Sequence, residues 1–223
     1  MASSTVLTWA GLFPPAGLVL DAGGGTELCY LTDDLLPAVA QVAHDGIHDP
    51  SWTPFSAPWA DADPLARARS VLAWNWQQRA ALGPEQWSLV FAVLQDGVVV
   101  GVQDLLAREF AVRREVRTGS WLGLAHQGRG TGTRMRLAVL SLAFDHLGAL
   151  GAGTEAWKDN AASRRVSEKV GYLPDGEEVA VTRGSRREGW RYRLTAARWQ
   201  TLGHPGVAVH GLTDACRELL GAR

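Results

Sequence analysis

Gly119-Ser-Trp-Leu-Gly-Leu-Ala-His-Gln127-Gly-Arg-Gly130-Thr-Gly132-Thr133 is the stretch on which the reading of this chain turns. An apolar run, Trp121, Leu122, Gly123 and Leu124, leads into a loop carrying Gly128, Gly130 and Gly132. A strongly apolar helix is expected to follow, from about Gly130 to Leu147. A strand–loop–helix turn of this kind leaves several backbone N–H groups unpaired at the helix start. They add to the positive end of the helix dipole. Such a spot suits a pyrophosphate. Glycine serves there because side chains would block close approach and because some positions want positive φ. The plainer reading is a glycine-rich turn that holds nothing.

Three ligand readings of the loop compete. A P-loop requires Gly-Lys-Ser/Thr, which is absent. A dinucleotide fingerprint requires G-x-G-x-x-G early in a βαβ unit, with an acidic residue about 20 positions on. Here the glycines are spaced differently and the turn lies past the chain midpoint. The third is the acyl-coenzyme A loop, Gln/Arg-x-x-Gly-x-Gly. Gln127-Gly-Arg129-Gly130-Thr131-Gly132 fits it position for position. A second motif lies about thirty residues on: Asn160-Ala-Ala-Ser163-Arg-Arg-Val-Ser-Glu-Lys-Val-Gly171-Tyr172.

Together the two motifs resemble the GCN5-related N-acetyltransferase (GNAT) superfamily, in its ribosomal-protein-alanine acetyltransferase-like branch. The resemblance is firm from about Gly119 to Tyr172. The stretch His48-Asp49-Pro50…Pro54-Phe55-Ser56…Pro58-Trp59, with Gly119–Gly123, also looks like an actinobacterial subgroup that includes a mycobacterial succinyltransferase. The resemblance implies a single GNAT domain over 1–223, of α/β (α+β) class. It would have a mixed, mostly antiparallel twisted sheet with a V-shaped opening and helices on both faces. Residues 1–16 would form an N-terminal arm and 203–223 a C-terminal extension.

The implied activity is N-acyl transfer from an acyl-CoA to an amine by direct attack on the thioester. Acetyl-CoA is the default donor and succinyl-CoA the alternative; no metal is implied. In that layout Trp121, Leu122, Gly123 and Leu124 would bind the pantetheine arm, and the amides of Gln127, Gly128, Arg129, Gly130, Thr131, Gly132 and Thr133 the pyrophosphate. Asn160 would reach the pantetheine or the incoming amine. Ser163 would protonate the leaving thiolate, because Tyr172, at the helix end, is misplaced for that task. The plainer reading of Ser163 is a first-turn residue bonding the backbone.

For the base, His48 has a suitable intrinsic pKa. It is equally readable as a loop-fixing partner. Asp49, Asp104 and Glu109 are further candidates, the last two readable as solvated loop charges; water and the substrate's own equilibrium could also suffice. Phe55, Trp59, Trp74, Trp76 and Trp121 could form an aromatic wall for the acceptor, together with His48 and Asp49. Each tryptophan is also readable as core packing. A succinyl donor would want a cation facing its free carboxylate. The rival readings are a natural-product tailoring or self-resistance enzyme and a non-catalytic acyl-CoA-binding module.

Composition is that of an ordinary globular chain. The chain has 223 residues, 46% hydrophobic and 20% charged, which excludes a disordered chain or a fibre. Net charge is −1, so no bulk positive field exists to drive binding to nucleic acid or an anionic membrane. Cys29 and Cys216 are the only cysteines, too few for a disulfide framework and consistent with a reducing cytoplasm. No apolar run approaches the roughly 20 residues of a membrane span. The N-terminus lacks a signal-peptide pattern.

Strands are expected at Gly17–Leu20 and Glu27–Leu31, with a helix from Thr32 (as N-cap) to about His44. An irregular, aromatic-rich stretch follows to Asp63, and Asp63-Pro64 opens a helix to about Leu82. Leu65, Val71, Leu72 and Trp76 would mark its apolar face. Asp96-Gly97 signals a hairpin between Trp87–Leu94 and Val98–Val102. Further strands are expected at Glu115–Leu124, Thr154–Trp157, Val179–Arg183 and Trp190–Leu194. Asn160 would cap a helix to Val170, stopped by Gly171. A strand and helix from Val207 could cover a neighbour's sheet edge in a homodimer.

Overall fold

The computed structural model, which describes residues 8–55 and 57–222, arranges nine strands in one sheet, with the central strand Gln86–Gln95 buried along most of its length. The strands are β1 (Val19–Asp21), β2 (Thr26–Tyr30), β3 (Gln86–Gln95), β4 (Val98–Arg108), β5 (Glu115–Leu122), β6 (Gly151–Trp157), β7 (Leu173–Thr182), β8 (Ser185–Thr195) and β9 (Ala208–His210). Their order is β7-β8-β6-β5-β4-β3-β2-β1-β9. Every pairing is antiparallel except β5–β6. The helices are α1 (Trp9–Leu12), α2 (Leu36–Asp45), α3 (Pro64–Ala80), α4 (Phe110–Arg113), α5 (Thr131–Ser141), α6 (Ala161–Val170), α7 (Ala196–Leu202) and α8 (Asp214–Leu219). Residues 1–7 of the expected arm lie outside the described residues.

The two faces of the sheet carry different cores. Leu31, Leu36, Val39, Ala43 and Val71 of the α2/α3 layer cover Val90, Ala92 and Val102. On the other face, α5 buries Met135, Ala138, Val139 and Leu140 against Leu28, Phe91, Leu105 and Val116. The start of α5 is anchored by polar bonds. Arg134 donates to Thr26 Oγ1 (2.6 Å), Gln95 Oε1 (3.1 Å) and Thr131 Oγ1 (3.1 Å). The helix then widens into a π turn at Leu142–His146. There Asp145 accepts from Ser141 (2.8 Å) and from the Trp199 indole (2.8 Å).

Several elements differ from the sequence expectation. Helix α2 begins at Leu36 with Leu35 at the N-cap, so Thr32 is not the cap; its carbonyl accepts from Leu35 and Leu36 in the turn before the helix. Pro37 sits in the first turn of α2, where its missing N–H costs nothing. Helix α3 packs through Arg67, Val71, Asn75 and Arg79, a four-residue repeat that is mostly polar. Leu65 and Trp76 face solvent instead. Arg67 donates to the carbonyls of Ala43 and His44 (2.8 Å to the latter), closing the end of α2. The β7–β8 hairpin is longer than expected and turns at Arg183-Gly184, both at positive φ. Helix α7 was not expected. The C-terminal strand covers the chain's own edge: β9 pairs with β1, Leu20 opposite Val209.

Asp63 Oδ1 accepts from the amides of Leu65 (3.1 Å) and Ala66 (3.0 Å), capping α3. Asp63→Ala removes both bonds and is expected to cost about 1 kcal/mol. In a chain of this size that lowers the calorimetric midpoint by about 2–4 °C.

Candidate active site

The site begins where two strands part. β5 and β6 pair only at Glu115–Gly151, Val116–Ala152 and Arg117–Gly153. Beyond that point β5 runs on to Leu122 and β6 to Trp157 with no shared ladder. Side chains bridge the root of the gap. The Thr154 hydroxyl donates to the Thr118 carbonyl (3.2 Å), and Arg136 of α5 donates to Thr154 Oγ1 and Ser120 Oγ (3.3 Å each). The gap opens into a cavity of about 1060 Å³, large enough for an extended ligand.

The glycine loop forms one lip of the cavity. The Gln127 side chain donates to the carbonyls of Leu122 (3.0 Å) and Ile47 (2.9 Å), fixing where the loop departs. Gly128 and Gly130 have φ of 75° and 81°, a backbone that glycine adopts without strain. Among the described residues, the amides of Gly128, Arg129 and Gly130 donate no hydrogen bond. Thr131 and Gly132 open α5, where first-turn amides have no intrahelical partner. The loop is therefore a cradle of free donors at a helix start, suited to an anion.

Of the residues expected around a donor, Trp121, Leu122, Leu124, Gln127, Gly128, Gly130, Gly132, Thr133, Asn160 and Ser163 line the cavity. Gly123, Arg129 and Thr131 do not. Gly123 backs onto α2, where a Cβ would come 2.7 Å from Val42. Arg129 points to solvent, and Thr131 is buried with its hydroxyl accepting from Arg134. Asn160 Oδ1 accepts from the Ser163 amide (3.0 Å) as the cap of α6, so only its amide NH2 is left for a ligand. The Ser163 hydroxyl makes no hydrogen bond among the described residues. It does not bond the backbone; Ser167 donates to the Ser163 carbonyl instead (3.1 Å). Tyr172 is buried away from the cavity, 3.4 Å from Thr118 Oγ1, and burial pushes its hydroxyl pKa up.

Comparison with known proteins decides the family. The family described as "Acetyltransferase (GNAT) domain" matches residues 28–173. The chain belongs to the GNAT acetyltransferase family. It is an acyl-CoA-dependent N-acyltransferase. Solved structures share the fold. A GCN5-related N-acetyltransferase from Brucella melitensis is 21% identical, with a TM-score of 0.65 over 82% of this chain and 81% of that one. Mycobacterium smegmatis RimJ in complex with CoA-disulfide is 19% identical, TM-score 0.65, over 84% and 95%. RimL, described as a ribosomal L7/L12 alpha-N-protein acetyltransferase in complex with coenzyme A, is 15% identical, TM-score 0.65, over 79% and 97%.

In this GNAT enzyme the wall opposite the loop comes from residues 46–63. His48 and Phe55 meet at 6.1 Å between ring centroids, Phe55 and Trp59 at 5.1 Å, and Trp59 and Trp121 at 6.0 Å. His48, Asp49 and Phe55 line the cavity; Trp59 packs behind them. Trp74 does not join the wall. It lies on the outer side of α3, 38% exposed and with no ring partner among the described residues. Trp76 is exposed and donates to Asp33 (3.2 Å). His48 is buried, and its Nδ1 donates to the Asp49 carbonyl (2.8 Å), which leaves Nε2 as the other ring position. Among the described residues that nitrogen has no hydrogen bond, and it lies 3.9 Å from Asp61 Oδ1. Asp49 Oδ1 accepts from the Ser51 hydroxyl (2.7 Å) and amide (2.8 Å), which hold its pKa below the usual carboxylate range.

Sequence reasoning passed over other groups at the site. Arg136 and the Arg165 and Lys169 side of α6 line the cavity. Arg165 follows Ala162 by three residues and Lys169 follows Arg165 by four, so a helical wheel drawn from the Asn160 cap would have found both. Glu109 is exposed at the end of β4, as a solvated charge. Asp104 is not a loop charge: it lies within β4, with Oδ1 buried and unbonded.

Two clasps hold the 46–63 segment over the cleft. Arg183, at the β7–β8 turn, grips both oxygens of Asp61 (2.7 and 2.5 Å). Asp159 accepts from the Trp52 indole (3.1 Å) and from Arg187 (2.9 and 3.0 Å). The Arg183 bond holds the Asp61 pKa below its ordinary value. The clasp therefore persists as pH falls through the ordinary carboxylate range and opens only below it. Arg183→Ala is expected to speed proteolytic cleavage within residues 46–62 while leaving the thermal midpoint nearly unchanged. Limited digestion at pH 7.5, followed by mass spectrometry, checks both.

Proposed function

We propose that this enzyme moves an acetyl group from acetyl-CoA to a primary amine of a peptide, protein or small molecule, by direct attack of the amine on the thioester. The observation that carries the reading is the cradle of unpaired amides at residues 128–132, set at the mouth of the parted β5 and β6. The pyrophosphate would lie on that cradle. The outer edge of β5 at Trp121 and Leu122 would take the pantetheine arm, with the Leu124 side chain beside it, and a free N–H on that edge would support the oxyanion. Arg165 and Lys169 would favour the phosphates by charge.

The amine adds to the thioester carbon, the C–S bond breaks, and the thiolate needs a proton. Ser163, with a free hydroxyl in the cavity wall, is the proposed donor. His48, Asp49, Phe55, Trp59 and Trp121 would form the acceptor side. Asp49, held ionised by Ser51, would draw in a cationic amine. RimL acts on the α-amine of a ribosomal protein, and this supports a peptide or protein acceptor of the same kind.

The test is a thermal-shift titration with CoA, acetyl-CoA and succinyl-CoA. A ligand at about 100 times its Kd stabilises by roughly 2.7 kcal/mol. Gly130→Val puts a β-branched side chain at a φ of 81°. It is expected to abolish the CoA shift while the protein stays folded by circular dichroism. A full CoA shift in that variant would overturn the cradle assignment.

One observation favours a second donor. Arg136 is 4% exposed, its hydrogen-bond partners are neutral and its Nε is unbonded, yet it lines the cavity. Burial lowers its pKa. A buried cation without a counter-ion is costly, and the free carboxylate of succinyl-CoA would supply one. If so, succinyl-CoA stabilises the protein more than acetyl-CoA, and Arg136→Met abolishes that excess while CoA itself still binds. Equal shifts for the two donors would leave acetyl as the group transferred.

A further inference from the structure

The acyl transfer proposed above needs an amine stripped of its proton, and the sheet holds one group placed to do it. We infer that Asp104 is the proton acceptor, meeting the amine beside Gly119 on the acceptor face of β5. The inference rests on the transfer reading and adds the identity of the base.

The strand register sets the face. Asp104 pairs with Gly119, Val102 with Trp121 and Leu106 with Arg117. Directly opposed residues of an antiparallel pair share a face. Val102 packs under the α2/α3 layer and Trp121 touches Trp59 of the aromatic wall. Asp104 therefore stands on the acceptor side of the sheet. Ser120, one residue from Gly119, points to the opposite face and meets Arg136.

Gly119 leaves the carboxyl uncovered. Gly119 lines the cavity, and a Cβ placed on it would lie 3.5 Å from Asp104 Oδ2. Its φ is not in the left-handed region, so no backbone demand calls for glycine here. What glycine supplies is space next to Oδ2. The other oxygen, Oδ1, is buried without a hydrogen bond, whereas a buried structural carboxylate is normally bonded.

Burial alone raises the Asp104 pKa to about 8. Of the charged groups on the elements around this face, Arg69 of α3 and Arg108 of β4 are exposed to solvent. Arg117 of β5 pairs with Glu155. On α3, Arg67 bonds the end of α2 and Arg79 pairs with Asp33. On α2, His44 pairs with Asp45. In the 46–63 segment Asp61 pairs with Arg183, and His48 Nε2 lies toward Asp61. His48 stands in the acceptor wall beside Asp61, and the proton falls to Asp104.

The step balances simply. The Asp104 carboxylate takes one proton from the substrate ammonium, giving a neutral amine and a carboxylic acid. The amine forms the N–C bond, the C–S bond breaks, and the second proton on nitrogen replaces the one that Ser163 gives to the departing thiolate, so that CoA leaves as the thiol. Asp104 then returns its proton to water. The ionised fraction of Asp104 grows as pH rises toward 8, and kcat/KM grows with it. Stability runs the other way. The folded state keeps a proton that the unfolded aspartate, with a pKa of about 3.9, has already lost, so this group takes away stability as pH rises from about 4 to 8.

The test uses Asp104→Asn and Gly119→Val, with CoA release from acetyl-CoA measured on a panel of short peptides with free α-amino groups. Asp104→Asn is expected to lower kcat/KM by about 10²-fold or more, to remove the limb near pH 8, and to raise the thermal midpoint at pH 7. Gly119→Val is expected to lower kcat with the carboxyl still present. Both variants keep the CoA-induced thermal shift, which reads the donor site separately. Absence of that shift in the wild type would count against the transfer reading alone. Titration of the Asp104 carboxyl by 13C NMR tests the base without any acceptor. A carboxyl titrating near pH 4, an Asn variant within twofold of wild type, or a lowered midpoint at pH 7 would each overturn the assignment.

Discussion

A sheet that stops pairing partway along two neighbouring strands has to satisfy, or leave open, the backbone groups it sets free. Here β5 and β6 share three residue pairs and then separate. Much of the rest follows from that separation. Thr154 takes over one lost partner by bonding the Thr118 carbonyl, and Arg136 spans the gap between Ser120 and Thr154. Those bridges hold the root of the gap at a fixed width. Beyond them the strand edges are available to a ligand, and the cavity exists because nothing within the fold fills it.

The free strand edge meets the free helix start at one corner. Gln127 makes that junction by bonding both Leu122, where β5 ends, and Ile47, where the acceptor-side segment begins. The glycines that follow turn their amides outward because their φ values let the chain reverse without strain. Arg134 ties the first turn of α5 to β2 and β3. The donor cradle is thus held from both sides by buried or half-buried hydrogen bonds. The opposite wall is held by ion pairs nearer the surface.

The segment from Gly119 to Tyr172 was legible in the sequence because its signals are local. Asn160 caps three residues ahead and Gly171 stops the helix behind it; outside that segment, Asp96-Gly97 reverses one hairpin by an equally local signal. What was not legible depends on residues far apart or on polar groups taking apolar places. Helix α3 buries Arg67, Asn75 and Arg79 because each has carbonyl, amide or carboxylate partners nearby. A pattern of apolar residues therefore pointed to the wrong face, and Trp74 and Trp76 ended in solvent. Asp104 read as a loop charge because a carboxylate inside a central strand breaks the usual pattern. The Asp61–Arg183 clasp joins residues 122 positions apart. No local rule reaches that distance.

The last strand of the sheet has a consequence for the order in which the molecule is made. Leu20 finds its partner in Val209, and the Trp87 indole finds its acceptor in the Leu220 carbonyl (2.9 Å). A growing chain therefore presents β1 with a bare outer edge until nearly all of the domain has left the ribosome. Exposed strand edges on nascent chains invite pairing with other molecules. Here that edge is brief, only Val19–Asp21, and it ends in an aspartate. Its short length protects it during synthesis, and β9 protects it once synthesis is complete.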